Sequence, residues 1–227
     1  MIDKIQYISQ KSGSGTHLNA IESVLKAGGK WIQLRIKNLA PPEILDLAIQ
    51  ANVLCASFGA KLIVNDHPDI AFKVGAYGVH LGLQDMPIRE ARAIVGPKSI
   101  IGGTANTFEH ILQRVSEGAD YIGLGPYRFT TTKENLSPVI GLEGYLSIME
   151  QVHAAGIQIP IIAIGGILAT DIPELVQAGL YGVAVSGALT NRPDASDLLH
   201  KMYTSVGLNK IDNLQLSLSE YDVKNSR

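Results

Sequence analysis

Gln33, Arg35 and Lys37 alternate with Leu34 and Ile36 at the end of a short apolar run. Successive side chains of an extended strand point to opposite faces, so one amide and two cations share a side. Cations lining a protein interior are unfavourable unless an anion meets them, and a phosphate or diphosphate is the natural partner. Asn65-Asp66 closes another apolar run, and His80-Leu81-Gly82-Leu83-Gln84-Asp85 closes a third. Two carboxylates at neighbouring strand ends, beside a cationic one, suit Mg²⁺. That ion typically takes one or two carboxylates together with waters and substrate phosphates. Plainer readings exist. Either Asp could cap a helix, but Asp69, just before Ile70-Ala71-Phe72, is the expected cap of its helix. Asp85 precedes Met86-Pro87, where Pro suits a first helical turn. His67 and His80 are alternative ligands, although a hydrogen-bonded structural role is the simpler expectation for an isolated His.

A second group of residues points to a second anion. Gly165-Gly166 follows the run Ile161 to Ile164, and Ser186-Gly187 follows Val183 to Val185. Glycines at such positions let backbone N–H groups and a helix N-terminus approach a phosphate. Thr104 ends a run that opens at Ile100. Thr130, Thr131, Thr132 and Lys133 lie in the longest polar insertion, Phe129 to Val139, where hydroxyls and an ammonium could wrap a phosphate. Loops of that length tend to carry function. Two phosphorylated substrates, one a diphosphate, are the inference.

Elements must hold these groups together. Eight short apolar runs, rich in β-branched residues, recur: Ile5 to Ile8, Trp31 to Ile36, Leu62 to Val64, Gly78 to Leu81, Ile100 to Gly102, Tyr121 to Leu124, Ile161 to Ile164 and Val183 to Val185. Near-continuous apolar character suits parallel strands covered on both faces. Helical spacing appears between them, as in Leu18, Ile21, Val24 and Leu25, and in Ala195 to Met202. Gly75, Gly118 and Gly179 each stand where a helix should stop before the next strand. The pattern predicts an α/β fold, a (β/α)8 TIM barrel as a single domain, with a doubly wound open sheet as the runner-up. Residues 1–205 are expected to form the barrel and 206–227 a polar tail or extension.

Composition narrows the function classes. With 227 residues, one domain is the simplest reading. A net charge of −2 lacks the basic surplus of a nucleic-acid binder. The lone Cys55 leaves no internal disulfide framework and no Cys-based zinc site. No apolar stretch is long enough for a membrane span, and no secretory signal pattern opens the chain, so a cytoplasmic protein is expected. Its partners are expected to be small molecules, with neither nucleic acid nor membrane; a homo-oligomer is compatible with the sequence.

Taken in order, Gln33-Leu34-Arg35-Ile36-Lys37, Asn65-Asp66, Gly78-Val79-His80-Leu81-Gly82, Asp85-Met86-Pro87, Gly125-Pro126, Thr130-Thr131-Thr132-Lys133 and Gly165-Gly166-Ile167 resemble the thiamine-phosphate synthase family, from about Ile5 to Met202. The resemblance implies a transferase of thiamine biosynthesis. It would join 4-amino-2-methyl-5-pyrimidinylmethyl diphosphate to 4-methyl-5-(2-phosphoethyl)thiazole and release diphosphate. Carried over by position, Gln33, Arg35, Lys37, Asn65 and Lys133 hold the pyrimidine diphosphate. Asp66 and Asp85 bind Mg²⁺. Thr130 to Thr132, Gly165, Gly166 and the Ser186-Gly187 backbone hold the thiazole phosphate, and Thr104 stands where the family has Ser. The implied reaction is dissociative, so it needs charge neutralisation at the leaving group through Arg35, Lys37 and Lys133, not a protein nucleophile. Five places depart from the family pattern: His67, Leu83, Thr104, the Ser186-Gly187 pair and the Arg128-Phe129 pair. Two other readings share the barrel: a thiazole tautomerase, for which Asn106 stands where a His is expected, and a non-catalytic phosphate-ligand barrel.

Overall fold

A computed structural model describes residues 2–11, 15–130 and 137–207 of the chain. Eight parallel strands close into one barrel in sequence order. They are β1 (Ile5–Ile8), β2 (Trp31–Leu34), β3 (Lys61–Asn65), β4 (Gly78–Leu81), β5 (Ile100–Ala105), β6 (Tyr121–Leu124), β7 (Ile161–Ile164) and β8 (Gly182–Val185). Closure is made by β8 against β1, with Ile5 opposite Val183 and Tyr7 opposite Val185. That pairing decides for the barrel over the open sheet.

Helices follow the strands: α1 (His17–Lys26), α2 (Pro41–Ser57), α3 (Pro68–Lys73), α4 (Ile88–Val95), α5 (Phe108–Glu117), α6 (Gly141–Ala154), α7 (Ile172–Gln177) and a last helix, α8, over residues 195–207. The expected stops hold: Gly75, Gly118 and Gly179 all have φ in the left-handed region, where Gly carries no Cβ penalty. Among the described residues, no helix is long and apolar enough to cross a membrane.

Strand alternation divides the core in two. Outward residues such as Ile32, Leu34, Leu62 and Val64 pack against the helices. Inward residues Ile8, Trp31, Ile63, Tyr121, Ile162 and Ala184 fill the barrel. The interior is not wholly apolar. Gln6, Gln33 and His80 are buried there too, so several runs that read as continuously apolar carry a polar residue on the inner face. Gly102 makes room for the Tyr121 ring, because a Cβ at Gly102 would sit 2.1 Å from Tyr121 Cζ.

Candidate active site

The strand ends surround a cavity of about 340 Å³. Gln33, Arg35 and Lys37 line it together, while Leu34 and Ile36 lie in the outer core, so the alternation read from sequence continues past the end of β2. The end of β1 fixes that segment. Ser9 Oγ accepts the Arg35 N–H at 3.1 Å and pairs with His17 Nδ1 at 2.9 Å. Burial, then the positive charges of Lys11 and Arg35, pushes the His17 pKa down to about 4, so the ring is neutral at pH 7.

Asn65 is buried at the wall, and Asp66 follows it with a φ of 66°. That left-handed conformation is uncommon for a residue with a Cβ, and Asp tolerates it better than most. The Asp66 N–H donates to His80 O at 2.9 Å, which holds the turn against β4. Lys37 Nζ forms an ion pair with the Asp66 carboxylate. Asp85 lies across from it, its Oδ2 accepting the Gly82 N–H at 2.6 Å. Burial raises the Asp85 pKa, and the neighbouring Asp66 carboxylate raises it further against the opposing pull of Gly82 N–H and Lys37.

The structure corrects the capping expectations. Pro68 opens α3, so His67 is the N-cap residue and Asp69 lies inside the first turn, 3.5 Å from Lys73. The fixed φ of Pro and its missing N–H suit the first helical position, which moves the helix start ahead of Asp69. Asp85 caps no helix either, since α4 opens at Ile88 after Pro87; it instead closes the turn after β4.

The floor of the cavity is a polar ladder. Gln33 Nε2 donates to Gln6 Oε1 at 3.1 Å, and Gln6 Nε2 donates to Tyr121 Oη at 3.3 Å. Tyr121 Oη pairs with His80 Nδ1 at 3.0 Å, and His80 Nε2 pairs with Thr104 Oγ1 at 3.0 Å. Burial raises the Tyr121 pKa, so the phenol stays protonated and can act as a donor. His80 is thus a structural residue that orients Thr104, rather than a metal ligand. Gln6 and Tyr121 had no signal in the linear sequence beyond one polar residue inside β1. Asn106 also lines the cavity; its amide donates to Gly125 O and accepts from Ser137 Oγ at 3.0 Å.

On the far wall stand Gly165, Gly166, Ser186 and Gly187. Gly165 and Gly166 have φ of 95° and 71°, a pair of conformations that L side chains rarely adopt. Ser186 Oγ donates to Ile8 O at 2.7 Å, so this hydroxyl ties β8 to β1 and leaves backbone for a ligand. Thr130 lines the cavity, whereas Thr131, Thr132 and Lys133 lie outside the described residues. Sequence reasoning noted Arg128 as a departure without assigning it a partner; it forms a bidentate pair with Asp171 at 2.6 and 2.8 Å.

Comparison with known proteins bears directly on this arrangement. Residues 6–189 match the model of the thiamine monophosphate synthase family. The chain belongs to that family. A thiamine-phosphate synthase of Bacteroides fragilis is 50% identical over 190 residues, 84% of this chain and 93% of the relative. The thiamine-phosphate synthase of Flavobacterium johnsoniae is 45% identical over 210 residues, 91% of this chain and 99% of the relative. A solved thiamine phosphate pyrophosphorylase from Pyrococcus furiosus superposes with a TM-score of 0.77 at 31% identity, covering 90% of this chain and 95% of that one. Membership of the thiamine monophosphate synthase family makes the chain an enzyme, a transferase, and favours neither the tautomerase nor the non-catalytic barrel.

The donor set fits the divalent ion expected from sequence in one specific way. Among the described residues, no three His, Cys, Asp or Glu side chains converge to hold a metal by themselves. Asp66 and Asp85 nevertheless face each other closely enough to raise the Asp85 pKa. A carboxylate pair of that kind is relieved by a cation, and two carboxylates leave open positions for phosphate oxygens and water.

Proposed function

We propose that the chain condenses the pyrimidine diphosphate with the thiazole phosphate to give thiamine phosphate and diphosphate, with Mg²⁺ held by Asp66 and Asp85. The supporting observation is that a cationic strand end, a carboxylate pair and a glycine loop share one cavity at the barrel mouth. Such a mouth is where barrels of this kind assemble active sites from successive strand ends.

Arg35 and Lys37 bind the diphosphate, with Lys133 completing the cationic set. Gln33, oriented by Gln6, and Asn65 hold the pyrimidine end. As the methylene carbon–oxygen bond breaks, the electron pair leaves with the diphosphate, and these cations stabilise the charge that develops there. A divalent ion held by Asp66 and Asp85 would supply further neutralisation of the same leaving group. Thr104 lies beside the departing oxygens, with His80 fixing its rotamer. The thiazole nitrogen, carried by a phosphate anchored at Gly165, Gly166 and Gly187, then forms the new bond to the methylene carbon. No side chain needs to attack the substrate, and the protein contributes by holding two reactants in line.

Purified protein supplied with both substrates should form thiamine phosphate and diphosphate only when a divalent metal is present. Asp66→Ala should abolish the metal requirement along with most of the rate, and Lys133→Ala should lower kcat by about a hundred-fold. Absence of product from the unaltered chain with metal would overturn the reading. Unchanged activity in Asp66→Ala would overturn the metal assignment alone.

A further inference from the structure

We infer that Arg128 and Asp171 are positioning residues that set the phosphate-binding amides of the loop after β7, and so govern affinity for the phosphate of the second substrate. The inference rests on the assignment of that loop to the thiazole phosphate.

The contacts form one small network. The Arg128 N–H donates to Gly165 O at 3.0 Å, and its guanidinium Nη1 donates to Gly166 O at 2.7 Å. The same guanidinium grips Asp171 through both nitrogens, at 2.6 and 2.8 Å. Asp171 Oδ2 also accepts the Leu168 N–H at 2.7 Å. Three consecutive peptide groups of the loop are therefore held by this pair. A trans peptide points its C=O and its N–H in opposite directions. With Gly165 O and Gly166 O turned onto Arg128, the N–H groups of Gly166 and Ile167 face away from it. Gly165, Gly166 and Ile167 all line the cavity. No acceptor among the described residues takes either N–H. Two parallel unclaimed amides on a cavity wall are an anion cradle.

The glycines themselves fit this reading. A Cβ at Gly166 would stand 2.4 Å from Arg128 Cγ, so the loop lies directly on the Arg128 side chain. Arg128 also stacks its guanidinium 4.8 Å from the Tyr127 ring centre, which keeps its stem in place. The Asp171 side chain is 11% exposed, so the pair is shielded on the carboxylate side. Arg128 does not deliver charge to the phosphate, because Asp171 neutralises it. It delivers geometry. The departure from the family pattern at Arg128 thus has a partner forty-three positions away that a linear reading does not show.

The test is steady-state kinetics of the full chain with each substrate varied in turn, for Arg128→Ala, Arg128→Lys, Asp171→Asn and the charge-exchanged Arg128→Asp/Asp171→Arg. Asp171→Asn keeps an acceptor for Leu168 while removing the ion pair, so it survives if Arg128→Ala folds poorly. KM for the thiazole phosphate should rise about ten-fold in Arg128→Ala and Asp171→Asn. The kcat and the KM for the pyrimidine diphosphate should stay within about two-fold, and Arg128→Lys should fall between. Charge exchange should recover part of the loss. Equal increases in both KM values, or none, would overturn the inference. Amide hydrogen exchange is read on the same variants: residues 165–168 should exchange faster in Asp171→Asn while β1 to β5 stay protected. If the unaltered chain forms no thiamine phosphate, the functional assignment fails, and exchange alone then decides whether the pair sets the loop.

Discussion

Replacing Gly102 by Ala tests the coupling between barrel packing and the reacting groups. An ideal Cβ there would lie 2.1 Å from Cζ, 2.4 Å from Cε1 and 2.5 Å from the hydroxyl of Tyr121, where ordinary contact starts near 3.4 Å. The ring would have to retreat by roughly 1.3 Å. It has nowhere to go cheaply, being fully buried and edge-on to Trp31 with ring centres 5.0 Å apart. Overpacking of this kind costs about 1–3 kcal/mol. Moving the phenol also strands Gln6 Nε2 and His80 Nδ1, at about 1–3 kcal/mol for each buried group left unpaired. About 3–9 kcal/mol in all corresponds to a fall in Tm of at least about 6 °C for a chain of this size. Thermal melts read that term directly. Kinetics read the second consequence: Thr104 loses the orientation that His80 gives it, so kcat/KM should fall beyond what partial unfolding explains. Tyr121→Leu shortens the side chain below the clash and should be far less harmful in the Gly102→Ala background than alone. A Gly102→Ala protein melting within about 2 °C of the unaltered chain, or strictly additive effects of the two substitutions, would refute the reasoning.

Two further outcomes follow from the charge arrangement. The Asp85 pKa is raised in the folded chain, so the stability it confers is present below the unfolded pKa and lost as pH rises through the folded one. Asp85→Asn should therefore raise the Tm of the metal-free protein at pH 7, and Mg²⁺ should raise the Tm of the unaltered chain but not that of Asp85→Asn; melts with and without the ion check both. His17 behaves in the opposite sense. Its folded pKa of about 4 lies below the unfolded value, so the stability it confers is present above about pH 6.5 and is lost as pH falls through about 4. His17→Asn keeps an acceptor for Ser9, and its urea midpoint should vary less over that window; an unchanged slope would count against a buried neutral imidazole.

Much of the site was legible because strand ends announce themselves locally. Alternation alone put Gln33, Arg35 and Lys37 on one side, and the cavity lining agrees. Gly75, Gly118 and Gly179 marked helix ends for a reason internal to each residue, the absent Cβ. Local reasoning failed at Asp69, where Pro68 competed for the helix start and won. It also missed the ladder of Gln6, Tyr121 and His80, because a buried hydrogen bond between β1 and β6 joins positions 115 residues apart.

The sequence by itself determined the number of strands, the residues at their ends and the family to which those residues point. These depend on side-chain period, glycine and proline geometry and residue type, all properties of short stretches. Only the tertiary structure decided that the sheet closes, since closure is a pairing of the first strand, β1, with the last, β8. It likewise decided that Asp66 and Asp85 share one electrostatic environment, and that Arg128 finds Asp171. Each of these depends on distance in space, which the barrel sets by bringing the ends of neighbouring strands, far apart along the chain, to one mouth.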